Sequence, residues 1–243
     1  MVEDDVAAGD HVGKLIVNAL GSNQVDIKDN DIVVVTQKII SKSEGRVVNL
    51  STIDPSDRAL NLANRVKKDP RFVELVISES KSILRCNDNV IISETKHGFV
   101  CANSGIDQSN VIGARDNVLL LPVDPDLSAR QIRHEVIQSI GRNIAVIVTD
   151  TFGRPFRLGQ TNVAIGVAGM DTIKSYVGKR DMYGNILRIT EIAVVDEIAS
   201  AAELVMGKNK RVPIAIVRGY GYSSSGMDTA RSLVRDFEQN LFR

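Results

Sequence analysis

Tryptophan is absent and aromatic residues make up only 4% of the 243-residue chain, which argues against a platform that stacks nucleic-acid bases on exposed rings. Net charge is missing too: 30 Lys plus Arg stand against 30 Asp plus Glu. Without a bulk basic field, neither nucleic acid nor a membrane surface is expected as a partner. No uncharged run approaches the roughly 18 residues of a membrane span, and the first ten residues are acidic where a signal peptide is basic and then apolar. The two cysteines, Cys86 and Cys101, are too few for a disulfide framework and read as reduced thiols. The expected compartment is the cytoplasm. His11, His97 and His134 show neither HxxxH nor His-Cys spacing, which disfavours a zinc site and a Ser-His-Asp triad. GxxxxGK[ST] occurs nowhere, so this is not a P-loop protein.

What is present is an ordinary globular composition, 43% hydrophobic and 25% charged. The chain reads as one domain over residues 1–243, with Asp124 as a candidate subdivision. Val12, Leu15, Ile16 and Leu20 fall at helical spacing after Asp10, a candidate cap, and predict a first helix. DIVVVTQ, 31–37, is a β-branched run that predicts a strand, with a loop across KIISKSEGR and a second strand from Val47 to Leu50. Residues 54–84 read as two helices parted by Asp69-Pro70. Strands are expected at 90–95, 98–103 and 117–123, the first two joined through Lys96-His97-Gly98. A helix over 127–140, a buried strand over 143–150, a helix over 191–206, a strand over 213–219 and a terminal helix over 228–242 complete a mixed α+β pattern.

Four segments carry residues suited to chemistry. In VTDTFGRPFRLGQT, 148–161, Asp150 stands where an apolar strand ends, the side of α/β sheets on which ligands bind. A carboxylate there can hold a dication with Thr151 as a neighbouring oxygen, and Arg154 and Arg157 suit an anionic substrate. A plain turn cap with surface arginines fits the same residues. In ANSGIDQSNV, Asp107 and Asn110 lie on one loop, and Asp107 with Asp150 forms a candidate pair for phosphoryl transfer, though an Asx-rich loop without a ligand fits as well. In QKIISKSEGR, Lys38, Lys42 and Arg46 recur four apart; Lys42 can meet a phosphate as a point charge, while solvated lysines are the plainer expectation. RGYGYSSSGMD, 218–228, can approach a phosphate with peptide N–H groups, or simply connect. Most of Glu191, Asp196, Glu197 and Glu203 are expected to be surface charges.

Taken together, TQKIISKSEGR, SGIDQSN, VTDTFGRPFRLGQTNVAIGVAG, TEIAVVDEIASAAELVMGK, VPIAIVRG and the terminal LFR resemble the coenzyme F420-0:L-glutamate ligase family, the gamma-glutamyl ligases of deazaflavin biosynthesis. The resemblance spans nearly the whole chain. It implies a family-specific fold of mixed sheets with flanking helices, and an intertwined homodimer. It also implies use of GTP and Mg²⁺ or Mn²⁺, two ions, with K⁺, to join L-glutamate to F420-0 and then to add a second glutamate through a gamma linkage.

By the same resemblance, Asp107, Asp150 and Thr151 match metal-binding positions, and Gln37, Lys38, Lys42 and Asn110 match nucleotide contacts. The stretch Met206, Gly207, Lys208, Asn209 and Lys210 matches a further segment near the GTP. Lys208 departs from the pattern, since relatives carry Gln or Glu there as an additional metal ligand and a cation cannot ligate a metal. The chain starts at what resembles the end of a Gly-Pro-containing strand that contributes to GTP binding, so part of the purine pocket is expected to be incomplete.

The chemistry expected is transfer of the γ-phosphoryl group to the acceptor carboxylate, giving an acyl phosphate that the glutamate amine attacks. Such a step depends on positioning and charge neutralisation, with Asp150 and Arg154 as the catalytic candidates. Two other readings fit the same residues: a metal-dependent phosphohydrolase, and a GTP- or F420-binding module without turnover. A flavin reductase is less compatible, because no segment resembles a nitroreductase.

Overall fold

In the computed structural model, residues 6–108, 116–226 and 229–240 are described. Asn110 therefore lies outside the described residues. In chain order the elements are helix α1 (Val12–Ser22), strand β1 (Ile32–Thr36), helix α2 (Gln37–Ser43), β2 (Val47–Asn49), α3 (Asp57–Val66) and α4 (Pro70–Ser78). Next come β3 (Ser80–Asn87), β4 (Val90–Thr95), β5 (Val100–Ala102), β6 (Asn117–Leu119) and α5 (Pro125–Ile140). The chain then forms β7 (Ala145–Arg154), β8 (Arg157–Ala168), β9 (Lys174–Ser175), β10 (Glu191–Ile192), α6 (Val194–Met206) and β11 (Ile214–Val217).

The expected mixed α+β architecture is what forms. A four-stranded sheet of order β11-β1-β7-β8 lies at the centre, with β1 and β7 parallel and the other pairs antiparallel. The run Ile32–Val35 is buried on both faces, as a β-branched segment without polar alternation should be. Val33, Val35, Val146 and Val148 face α1 and α5, whereas Ile32, Val34, Ala145 and Ile147 face α6. A second apolar core, containing Phe72, Val73, Val76, Ile91 and Leu120, binds α3 and α4 to the β3-β4-β5 sheet and the β2-β6 pair.

Several local expectations are corrected. KIISKS is a helix, not a loop, because Ile39 and Ile40 enter the main core and bring their turn with them. Ser80–Asn87 is a strand paired with β4 rather than the end of a helix. The strand expected over 117–123 stops at Leu119, and the helix expected from Glu191 begins at Val194. Within residues 229–240, the described part of the terminal helix expected over 228–242, no α-helix is formed. Ala230–Leu233 and Phe237–Gln239 are single 3₁₀ turns, the first tied down where Asp126 accepts from Ala230 N at 2.9 Å. Asp10 accepts from Ala7 N rather than capping α1. The Gly- and Ser-rich stretch after β11 is pinned internally, with Ser225 N and Oγ donating to Asp171 at 2.7 and 2.9 Å.

Arg218 has a structural role that its setting beside that stretch did not suggest. Its guanidinium grips Asp31 through two bonds of 2.8 and 2.7 Å, and Asp31 is 1% exposed. This grip holds the Asp31 carboxyl below its ordinary value of 3.8. A depressed folded pKa stabilises the fold above the unfolded value and loses that contribution as pH falls through the folded one. Arg218→Ala is expected to destabilise the fold at neutral pH, because it leaves the buried Asp31 carboxylate without this partner. Denaturant titrations should show the difference between variant and parent shrinking below about pH 4.

Candidate functional site

The site forms where β7 outruns its neighbour. β1 ends at Thr36, opposite Thr149, while β7 continues to Arg154 and returns as β8, turning at Pro155-Phe156. The strand expected to end at Asp150 thus runs on into a two-stranded ribbon, and Asp150 sits at the ribbon's root rather than at the end of a strand. Alternation along β7 places Asp150 on the face of Val146 and Val148, and Thr151 on the face of Ala145 and Ile147. Beyond Thr36 no residue of β1 pairs with the β7 edge of the ribbon.

Asp107 reaches this place from the other core. Its peptide exchanges two hydrogen bonds with Leu119, 2.9 Å from Asp107 N and 2.8 Å from Leu119 N, which fixes the backbone next to β6. Its carboxylate forms an ion pair with Lys38 Nζ at 2.9 Å. Lys38 and Lys42 are 7% and 5% exposed, so the expectation of solvated lysines is overturned. Both rise from α2, whose burial carries the lysine stems inward with Ile39 and Ile40.

The Asp150 carboxyl is pushed up to about 6, chiefly by burial and further by the Asp107 charge. The Thr151 peptide N–H, Lys208 and Lys38 oppose that rise. Two carboxylates and two ammonium groups from four separate segments therefore act on one another here. Cys101 shares the location: burial first, then the Asp150 charge, push its thiol up to about 12. It is an inert thiol at neutral pH.

On the opposite face, Thr151 Oγ1 donates to Asn162 Oδ1 at 2.6 Å and accepts from Lys208 Nζ. Thr151, Asn162 and Lys208 border a cavity of 560 Å³ between the ribbon and α6. Gln37 is fully buried and accepts from Ser41 Oγ at 2.7 Å, but its Nε2 and the Thr149 hydroxyl have no partner among the described residues. Buried polar atoms of this kind are costly unless something meets them.

The remaining candidates are more dispersed. Arg154 donates back to the Leu158 and Gly159 carbonyls of its own ribbon, and both Arg154 and Arg157 are exposed. Met206 is a core residue at 4% exposure and has only backbone to offer. Gly207 turns the chain at φ +60, with the Lys210 stem packed over it, and Asn209 and Lys210 are exposed. Asn162, Ser200, Gln160 and Glu203 border the cavity and were not recognised as a group from sequence, since nothing in their spacing brings β8 against α6.

A model of the family described as F420-0:Gamma-glutamyl ligase matches residues 3–219. The coenzyme F420:L-glutamate ligase of Methanothermobacter thermautotrophicus is 46% identical over 242 residues, covering 98% of this chain and 94% of that protein. The protein of the same name from Methanocaldococcus jannaschii is 42% identical, covering 90% of this chain and 87% of its own length. For that of Methanopyrus kandleri the identity is 39%, with 100% and 95% covered.

Proposed function

The chain belongs to the F420-0:gamma-glutamyl ligase family, and from that premise we propose that it joins L-glutamate to coenzyme F420-0, and then a second glutamate by a gamma linkage, at the expense of GTP. The observation that carries the reading is the meeting of Asp107 and Asp150 with Lys38 and Lys208 at the root of the ribbon.

Whether these residues fit a dication can be judged from their chemistry. Two hard oxygen donors of like charge, one of them largely withdrawn from water, repel each other and are relieved by a doubly charged ion. Among the described residues there is no group of three His, Cys, Asp or Glu side chains that could hold a metal. Asp107 and Asp150 would therefore hold the ion from the protein side, leaving it open to phosphate oxygens and water, as suits Mg²⁺. Lys208 competes for the Thr151 hydroxyl, so Thr151 supports the site mainly through its peptide N–H to Asp150. When bound, the ion supplies neutralisation of the triphosphate charge.

The chain's own residues do the positioning. Lys38 orients Asp107 and adds a positive charge beside the phosphates, with Lys42 one turn further along α2. The orphan amide of Gln37 is a donor for the nucleotide. Arg154 and Arg157, at the ribbon tip, suit the acceptor's phosphodiester. The γ-phosphoryl group passes to the acceptor carboxylate, GDP leaves, and the amine displaces phosphate from the resulting acyl phosphate to form the amide.

The test is to incubate the protein with F420-0, L-glutamate, GTP and Mn²⁺ and read the product mass. Products heavier by one and two glutamyl residues, formed only when GTP and amine are both present, are expected. Phosphate release without an amide product points to a phosphohydrolase, and nucleotide binding without GDP release to a binding module.

A homodimer belongs to the same proposal. Phe156 and Leu158 at the ribbon tip are 87% and 96% exposed, and Met182 and Ile189 are each 89% exposed. Apolar side chains so far out of the core suit burial against a second copy. Sedimentation equilibrium should give a dimer for the parent and a weakened dimer for Phe156→Ser with Leu158→Ser. A monomeric parent rejects this part.

A further inference from the structure

Asp150 and Thr151 are successive residues of β7, and their side chains leave the strand on opposite faces. A second metal ion, beside the one held by Asp107 and Asp150, would have to share Asp150 and find a further protein oxygen. Among the described residues no group of three His, Cys, Asp or Glu side chains could supply it. The neighbouring oxygen is Thr151 Oγ1. That hydroxyl gives its proton to Asn162 Oδ1 at 2.6 Å and accepts from Lys208 Nζ. Although Lys208 is an exposed residue, its Nζ is turned to the ribbon root. It also acts on the Asp150 charge, and more strongly than Lys38 does.

We propose that the Lys208 ammonium takes the place of a second dication, so that this chain works with a single metal ion held by Asp107 and Asp150; the inference rests on the ligase reading above. In paired-metal sites the two ions stand about 3.5–4 Å apart and neutralise charge on both sides of the reacting group. A dication on Thr151 Oγ1 would be in contact with Lys208 Nζ, and cations that close repel strongly in a site partly withdrawn from water. An ammonium needs no shell of oxygen ligands to keep its charge there. Its three N–H donors let it bond Thr151 and a phosphate oxygen together.

The two-ion set implied by the family resemblance therefore does not fit these residues. The positive charge that a second ion would bring is instead attached to the chain, just beyond the end of α6. Part of the charge facing the triphosphate is then present before any metal arrives, and occupancy of the site depends on free metal to the first power.

Equilibrium dialysis of Mn²⁺ against the full chain, saturated with a non-hydrolysable GTP analogue, counts the ions, and electron paramagnetic resonance reports whether two lie side by side. The parent should hold one Mn²⁺ per bound nucleotide, with the spectrum of an isolated ion. Lys208→Gln, which exchanges the ammonium for an amide oxygen, should hold two, with a spin-coupled spectrum. Two coupled ions in the parent, or a single ion in Lys208→Gln, overturn the assignment. Loss of the analogue from the variant makes Lys208 a nucleotide anchor rather than the replacement of an ion, and overturns it too. The ligase reading fails separately: one ion in the parent and two in the variant, with no glutamyl product from the parent, keep the role of Lys208 and remove the ligase.

Discussion

Asp150→Asn is expected to abolish ligation and yet yield a protein at least as stable as its parent. The Asp150 carboxyl is pushed up to about 6 in the fold by burial and by Asp107, from an ordinary value of 3.8. A raised folded pKa means that the ionised group is worse off folded than unfolded. The penalty is absent below about pH 4, grows as pH rises, and is complete above about pH 6. A difference near two pH units sets its ceiling at about 3 kcal/mol. Asparagine keeps the shape and removes the charge, so the metal-free variant should gain about 1–3 kcal/mol at pH 7, read as a melting point higher by several degrees.

Turnover should fall by on the order of 10²–10³-fold or more, as when one charge-stabilising group is removed from a preorganised site. Mn²⁺ with GTP should raise the melting point of the parent and have little effect on the variant. Near-normal turnover in Asp150→Asn rejects the metal role. A large loss of stability would mean that Asp150 is held by contacts that favour its charged form.

Gly166→Ala should have the largest effect on the fold. Gly166 lies in β8 under the first turn of α5, where an added Cβ would sit 2.2 Å from Pro125 O and 2.4 Å from its carbonyl carbon. Both are backbone atoms, so no side chain can swing aside. The helix cannot retreat easily either, because Asp124 caps it through Leu127 N at 2.9 Å and Asp126 accepts from Val167 N at 2.8 Å. A cost of about 3 kcal/mol or more follows, or roughly 6–12 °C in melting temperature for a chain of this size. Gly153→Ala is the control: nothing lies within 4 Å of its added Cβ, and its melting point should stay close to the parent's. Equal losses in the two variants would show that the Pro125 contact is not the cause.

The sequence was most legible where one signal dominated. DIVVVTQ was expected to be a strand and Ile32–Thr36 is one; the helix expected from Leu127 forms but begins two residues earlier, at Pro125, with Asp124 as its cap. Two errors bear on the site. KIISKS looked like a solvated loop because two lysines outweighed two isoleucines, yet tertiary burial decided the matter. The strand before TFGRPFRLGQT was expected to end at Asp150, yet β7 continues to Arg154. The turn itself is only Pro155-Phe156, with Phe156 taking φ 63 where a glycine would be easier.

The aspartates at 107 and 150 were legible as candidates, and the family resemblance gave them roles. Their meeting was not legible, because it depends on the bridge between Asp107 and Leu119 and on how far β7 runs past the end of β1. The cavity that Gln160 and Glu203 both border was hidden more deeply still. A lone glutamate on an amphipathic helix carries no local sign of what stands opposite it.

The ribbon behaves mechanically as a cantilever. It is clamped in a four-stranded sheet at Thr149 and supported beyond that by one partner strand and by α6. In any such beam displacement is smallest at the clamp and grows toward the free end. Asp150, which in the proposed reaction has to meet a phosphate within tenths of an ångström, stands one residue from the clamp. Arg154 and Arg157 stand at the far end, where the proposed contact with a bulky acceptor would disturb the aspartates least.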